Sequence, residues 1–451
     1  MLKHVVDECL VQLNRAQLPA RVLEGIVADI PEREVFPDTP RDSAPIGVYV
    51  HIPFCATKCS FCGYSVELDR NASLKTAYAR AVGEHLKRLA GRLSGHQLTW
   101  VSFGGGTPSS LDPGELAVIL DGMSAFNRPK NLSISMEMRV DSLEDGDKLQ
   151  RYLDLGVSRV CLGVQSFDDR VRKEFGLRLS GDEAYRLLEG VKRSGIEYAF
   201  DVIWGGPRQS QRDLDLTLDR VFALEPHQID AYPLFPIRGT TQFRLFEDLE
   251  RDQLKAHQRQ LCDHLLRRMM DAGYERIDGV MFSRTKDVAE DPRGGFREAS
   301  SLLVPETGHI IGVGQSAHTL YKGTFATNPY SARKYVEMVQ QGKELTYTGL
   351  RAPMLIAAFR FLIGALTRER KAAALRRRKA GALTGEDLDQ TFYNIRFWWH
   401  VFTGLRGWNA LSKKVGYPIG NENNVRLGAA PEYVTSGELS RIENARLHRT
   451  G

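Results

Sequence analysis

Residues 47–64 read GVYVHIPFCATKCSFCGY and say more about the fold than any other stretch of the chain. An apolar, β-branched run at 48–52 leads into a loop holding Cys55, Cys59 and Cys62, three of only six cysteines. The C-x3-C-x2-C spacing can place three thiolates on three irons of a [4Fe–4S] cubane, leaving the fourth iron without a protein ligand. An open iron can bind a small molecule and pass it an electron, so the spacing points to redox catalysis rather than electron storage. A zinc site and a chance cluster are the other readings of the same trio. Zinc prefers four ligands, often as two C-x2-C pairs. Cys9, Cys161 and Cys262 supply no second pair, and the nearest other ligand is His51.

On the C-terminal side, short strand-like runs alternate with longer helical segments. The runs are VYVHI (48–52), LTWVSF (98–103), NLSISME (131–137), SRVCLGV (158–164), YAFDVIW (198–204) and QIDAYPL (228–234). Between the first two, Leu74, Tyr78, Val82, Leu86 and Leu89 recur at helical spacing and make one apolar face. Such repetition predicts parallel βαβ units, and its regularity favours a barrel over an open sheet. Chemically capable residues stand near the strand ends: Cys55, the glycines 104–106, Glu137, Gln165, Asp201 and Tyr232. A parallel barrel gathers its active site at the carboxyl ends of its strands.

The remaining regions read differently. Residues 1–45 are a polar, partly helical extension ending in FPDTPRDSAP. A long helix is expected at 251–272, an irregular loop over 282–308 containing DPRGGFREAS, and a strand with a glycine turn at HIIGVGQSAH (309–318). The expected divisions are an extension (1–45), a barrel (46–285), a barrel extension (286–345) and a mostly helical C-terminal region (346–451).

With 451 residues and 42% hydrophobic content, a substantial core is available. A net charge of +5 implies no nucleic-acid partner. The basic run RERKAAALRRRKAG (368–381) reads as a solvated helix face, with a docking surface for an acidic partner as the other possibility. No secretory signal opens the chain, and its longest apolar run, 354–366, is too short to span a bilayer. Few, clustered cysteines and a labile cluster together suggest the cytoplasm.

FGGGTPSSL (103–111) follows a strand, and its glycines allow close backbone approach to a ligand. YVHIPFC, FGGGTPS, GVSRVCLGVQSFDD, DVIWGGP, AYPLFPIRGT and GVGQSAH, in this order over about residues 46–340, resemble the radical S-adenosylmethionine (SAM) superfamily. The resemblance is to its oxygen-independent coproporphyrinogen III oxidase-like branch. It implies an α/β fold, a partial (β/α)6 barrel, with SAM chelating the open iron of a [4Fe–4S] cluster held by Cys55, Cys59 and Cys62. An electron from that cluster would cleave SAM to methionine and a 5′-deoxyadenosyl radical, drawn from a donor such as flavodoxin or ferredoxin.

By the same resemblance Gly105, Gly106 and Thr107 meet the methionine amino group, and Glu137 holds that ammonium. Gln165 and Asp201 stand where the family contacts the SAM carboxylate side and the ribose. Arg178 would pair with the SAM carboxylate, although EFGLRLS carries an extra residue before the arginine. Tyr49 lies near bound SAM in members that hold two SAM molecules, and Gly312, Gly314 and Gln315 resemble the lining of the second site. Tyr64 stands where coproporphyrinogen oxidases carry a fourth cysteine. That departure, with the long N-terminal extension, resembles class C radical SAM methyltransferases and cyclopropanases acting on an unsaturated or heteroaromatic small molecule. In those, the first radical activates the methyl group of a second SAM for addition to an sp2 carbon, and Tyr49 is the candidate catalytic residue. A porphyrinogen decarboxylase and a haem chaperone are the alternatives. Phe392, Tyr393, Phe397, Trp398 and Trp399 could cover a flat substrate or simply pack a small helical core.

Overall fold

The structure is a computed structural model that describes residues 27–37, 43–64, 66–234, 237, 240–247, 249–278, 280–284, 309–322 and 324–350. The basic run at 368–381, the apolar run at 354–366, residues 285–308 of the expected loop and the aromatic cluster at 392–399 lie outside the described residues, whereas the first residues of that loop, 282–284, are strand because they pair with their neighbours in the sheet.

Six parallel strands form the centre: β2 (Ile46–Ile52), β3 (Leu98–Gly105), β4 (Ser133–Arg139), β5 (Arg159–Gln165), β6 (Glu197–Trp204) and β7 (Gln228–Pro233). They match the six expected runs, and side-chain alternation explains why. Val48, Val50 and Ile52 of β2 are fully buried under the outer helices, whereas Tyr49 and His51 face the concave side and keep partial access. The helix Ala72–Arg92 shows the other periodicity. Its start is capped by the Asn71 side chain accepting from Leu74 N, and Tyr78, Val82, Leu86 and Leu89 are fully buried. Helices Gly181–Ser194 and Gln211–Leu224 each begin at a serine with a capping box, which stops each preceding loop at a defined point.

Among the described residues, the other strands extend this core to thirteen in one mixed sheet, an open, partial barrel. They are β1 (Val27–Pro31), β8 (Tyr274–Asp278), β9 (Met281–Arg284), β10 (His309–Val313), β11 (His318–Tyr321), β12 (Thr324–Thr327) and β13 (Thr346–Leu350), in the order β1-β13-β12-β11-β10-β2-β3-β4-β5-β6-β7-β9-β8. β10 runs parallel to β2 with Gly312 opposite Tyr49, so the glycine turn lies beside the strand that enters the cysteine loop.

The sheet crosses the expected divisions at 45/46 and 345/346, because β1 pairs antiparallel with β13, Val27 opposite Leu350. Glu32, just after β1, fastens this flank. It is fully buried and accepts hydrogen bonds from Arg88 Nε and Nη2 at 2.8 Å each and from Leu345 N at 3.2 Å. No helix among the described residues is long and apolar enough to cross a membrane.

Candidate active site

Cys55 ends a two-residue strand, Phe54–Cys55, that pairs with Glu67–Leu68 and closes the cysteine loop at its base. Its Sγ lies 3.2 Å from Thr107 Oγ1, so the loop and the GGGTP turn touch directly. Within the loop, Cys62 N donates to Cys59 O at 3.2 Å. Burial pushes the Cys55 thiol up, and pushes Cys59 up to about 11 against the opposing pull of the Arg139 guanidinium. The Cys62 sulfur raises both of them, and Cys55 adds to the rise at Cys59.

The GGGTP turn explains its own glycines. Gly105 has φ +112°, and a Cβ there would strike the His51 ring at 2.6 Å. Gly106 N donates to Ile52 O at 2.8 Å, and a Cβ on it would lie 2.7 Å from the Pro53 carbonyl, which cannot move aside. The turn therefore sits flush against the chain entering the cysteine loop.

On the concave face, Glu137 accepts from Gly105 N at 3.3 Å. A Cβ on Gly104 would lie 2.9 Å from both Glu137 Oε1 and Tyr49 Oη, so these two side chains converge over the turn. Tyr49 Oη is 3.3 Å from His51 Nδ1. Burial, and next the Glu137 charge, push the Tyr49 phenol well above its ordinary value. His51 is pushed down to about 4 by burial and by His318, so it is neutral at neutral pH.

Gln165 ends β5 with φ +64°, at an irregularity where its register with β6 shifts. Its amide folds back over Gly163, where a Cβ would meet Nε2 at 2.8 Å. Strain in a non-glycine residue at a strand end of this kind is commonly tied to function. Asp201 stands opposite Gly163 on β6 and accepts from Cys161 Sγ at 3.4 Å. Asp230, directly opposite Asp201 on β7, completes a set whose ligand atoms all lie within 4.8 Å of one another. Burial raises Asp230 to about 6, and burial followed by repulsion from Asp230 and Glu137 raises Asp201 well above its ordinary value. Gln228 Nε2 ties Asp230 from below at 2.7 Å, and Arg159 holds Gln228 at 2.9 Å.

The GVGQ turn is bound to the same wall. Gly314 has φ +99°, and a Cβ there would meet Tyr78 Oη at 2.5 Å and His51 O at 2.6 Å. Tyr78 donates to His51 O at 2.8 Å and accepts from Gln315 N at 2.6 Å. Gln315 is buried, and neither its Oε1 nor Asn328 Oδ1 has a hydrogen-bond partner among the described residues.

Tyr49, Gly105, Gly106, Thr107, Glu137, Gln165 and Asp201 are thus assembled on one concave face with the cysteine trio at its rim, and Gly312, Gly314 and Gln315 adjoin it. Arg178 stands apart. Its side chain is 54% exposed and pairs with Glu144 and, at 3.8 Å, with Asp141. The motif reading passed over Arg139, Cys161 and Asp230. Period-2 alternation places Arg139 on the strand face of Glu137 and Cys161 on that of Gln165, but it gives neither them nor Asp230 a motif of their own.

An open parallel barrel with three cysteines after its first core strand, and a glycine turn docked against them, is a radical SAM domain; the Radical SAM superfamily model matches residues 49–221. The chain is 24% identical over 325 residues to the oxygen-independent coproporphyrinogen III oxidase of Cereibacter sphaeroides, covering 68% of this chain and 70% of that one. It is 28% identical over 312 residues to the anaerobilin synthase of Escherichia coli O157:H7, covering 66% of each. Its fold is that of the solved structure of coproporphyrinogen III oxidase (HemN) from Escherichia coli, with a TM-score of 0.64 over 74% of this chain and 77% of that one. The chain therefore carries a radical SAM domain and has homologues among oxygen-independent coproporphyrinogen III oxidases, and the cofactors of that domain are a [4Fe–4S] cluster and SAM.

The donors present fit that cluster. Tetrahedral zinc would draw thiolates to about 3.8 Å from one another. Among the described residues, the set of three or more ligand atoms lying within 4.8 Å of one another is Cys161, Asp201 and Asp230, not the loop trio. The wider trio suits a cubane, whose ligands sit on separate irons.

Proposed function

We propose that this enzyme removes a hydrogen atom from a tetrapyrrole, with oxidative decarboxylation of a coproporphyrinogen-type propionate as its reaction. The observation carrying this reading is the match to coproporphyrinogen III oxidases over about two thirds of both chains. The anaerobilin synthase match points to the same substrate class, since its name places it in bilin chemistry.

Cys55, Cys59 and Cys62 would hold the cluster, which when bound supplies the electron that cleaves SAM to methionine and a 5′-deoxyadenosyl radical. Gly105, Gly106 and Thr107 would line the methionine amino group, with Glu137 accepting from that ammonium as it now accepts from Gly105 N. Gln165 and Asp201 would face the carboxylate side and ribose. Arg178 would reach the SAM carboxylate only by leaving Glu144 and Asp141. Tyr49 would border the radical's target. A low-potential donor such as flavodoxin or ferredoxin would supply the electron, and an external one-electron acceptor would take the electron left after carbon dioxide departs. Such a cluster needs a reducing compartment, which supports the cytoplasm.

C-methylation or cyclopropanation through a second SAM is the second reading. Tyr64, in the place of a fourth cysteine, is 69% exposed, and the unpartnered Gln315 Oε1 and Asn328 Oδ1 offer acceptors beside β2. The two are separated by incubating reconstituted enzyme with reductant, SAM and coproporphyrinogen III. Decarboxylation yields 5′-deoxyadenosine and a product lighter by a carboxyl group and a hydrogen. Methylation instead yields S-adenosylhomocysteine alongside 5′-deoxyadenosine and a heavier product. Coproporphyrinogen recovered unchanged while 5′-deoxyadenosine accumulates rules out coproporphyrinogen as the substrate.

A further inference from the structure

We propose that Arg139 is a positioning residue for the cluster, fixing the cysteine loop and setting its reduction potential by placing a positive charge on the Cys59 ligand. This rests on the trio holding the cluster, and iron content measured on the same samples reports that separately.

Arg139 is the last residue of β4, two after Glu137, and its side chain runs along the barrel rim into the cysteine loop. Nη1 donates to Thr57 O at 3.1 Å, to Thr57 Oγ1 at 3.0 Å and to Cys59 Sγ at 3.8 Å. The other edge of the guanidinium is fixed by Asp141, which accepts from Nε at 3.0 Å and from Nη2 at 2.7 Å. Both partners of this pair keep under a fifth of their side-chain surface exposed, so bulk water screens them weakly. Even Arg139 N is engaged, donating to Ser109 Oγ at 3.2 Å. A planar fork held on two sides is a geometry that lysine cannot reproduce.

The guanidinium favours negative charge on Cys59 and Cys55 alike, and Asp141 acts on Cys59 in the opposite sense and more weakly. Lys58 adds to the positive side at Cys55, and Arg178 lies behind Asp141. Reducing a cluster adds one negative charge, and hydrogen bonds and charge at its sulfurs are what a protein uses to move its potential. Arg139 therefore makes reduction easier, and Asp141 makes it harder.

The test is an EPR-monitored redox titration of reconstituted enzyme carrying Arg139→Gln, Arg139→Lys or Asp141→Asn, with iron counted in each sample. Arg139→Gln should lower the reduction equilibrium about tenfold, about 59 mV for a one-electron couple. Asp141→Asn should shift the potential the other way, and Arg139→Lys should stay closer to wild type than Arg139→Gln. A clamp without an electrostatic role would loosen in both Arg139→Gln and Asp141→Asn, giving shifts of the same sign. That result, or a wild-type potential in Arg139→Gln with full iron, would overturn the proposal. Should Arg139→Gln fail to hold iron, the other two decide: a positive shift in Asp141→Asn with Arg139→Lys near wild type supports the assignment, and any other pattern refutes it.

Discussion

Cys55→Ala, Cys59→Ala and Cys62→Ala should each abolish iron–sulfur absorption and SAM cleavage, whereas Cys161→Ala and Cys262→Ala should retain the cluster. Among the described residues the trio has no spare cysteine beside it: Cys161 lies on the concave face hydrogen-bonded to Asp201, and Cys262 is buried in the helix Arg251–Asp271. Loss of a residue merely supporting a metal ligand costs about 10–100-fold. Loss of a ligand itself should exceed that, leaving 5′-deoxyadenosine formation more than about 100-fold below wild type. Iron analysis and the visible spectrum check this directly. Retention of full iron by any of the three single variants would show the ligand set to be wrong.

Glu32→Ala should destabilise the chain by about 3 kcal/mol, because breaking a buried ion pair strands the charge left behind. Arg88 would lose both of its contacts to Glu32 and Leu345 N its acceptor, while Arg88 keeps partial access to water, which limits the cost. Burial alone would raise the Glu32 carboxyl, but hydrogen bonds from His85 and Arg88 outweigh it and hold the group well below its ordinary 4.5. A depressed carboxyl gives stability that is fully present above its unfolded value and is lost as pH falls through the folded one. The gap between wild type and Glu32→Ala should accordingly be constant from pH 7 to about 5 and shrink only in stronger acid. Denaturant unfolding of both proteins across that range measures it, and a gap that closes already at pH 6 would contradict the assignment.

The effect reaches the site through the helix Ala72–Arg92. That helix carries Arg88 on one turn and Tyr78 on another, and Tyr78 joins His51 to the GVGQ turn.

How legible the molecule was depended on the range of the signal. The six core strands could be read because each is a local apolar run whose alternation survives in isolation, as with Val48, Val50 and Ile52 against Tyr49 and His51. The GGGTP turn could be read because its glycines follow the second core strand while the first leads into the cysteine trio. β1 could not: VADIP is short, polar in part and ends in proline, and it becomes a strand only by pairing with residues more than 300 positions away. Arg139 and Asp230 were missed for a related reason. A lone arginine or aspartate has no motif of its own, and its meaning comes from the strand beside it, Asp201 opposite Asp230 and the Thr57–Cys59 loop beyond the end of β4. Arg178 is the reverse case: its motif points to SAM, while its side chain is paired with Glu144 and Asp141.

The most direct measurement is SAM turnover by the anaerobically reconstituted, reduced protein, followed by chromatography of the nucleoside products. Wild type should form 5′-deoxyadenosine and methionine in equal amounts, and the Cys55→Ala protein should form neither. Intact cluster without any 5′-deoxyadenosine would contradict radical SAM chemistry in this chain.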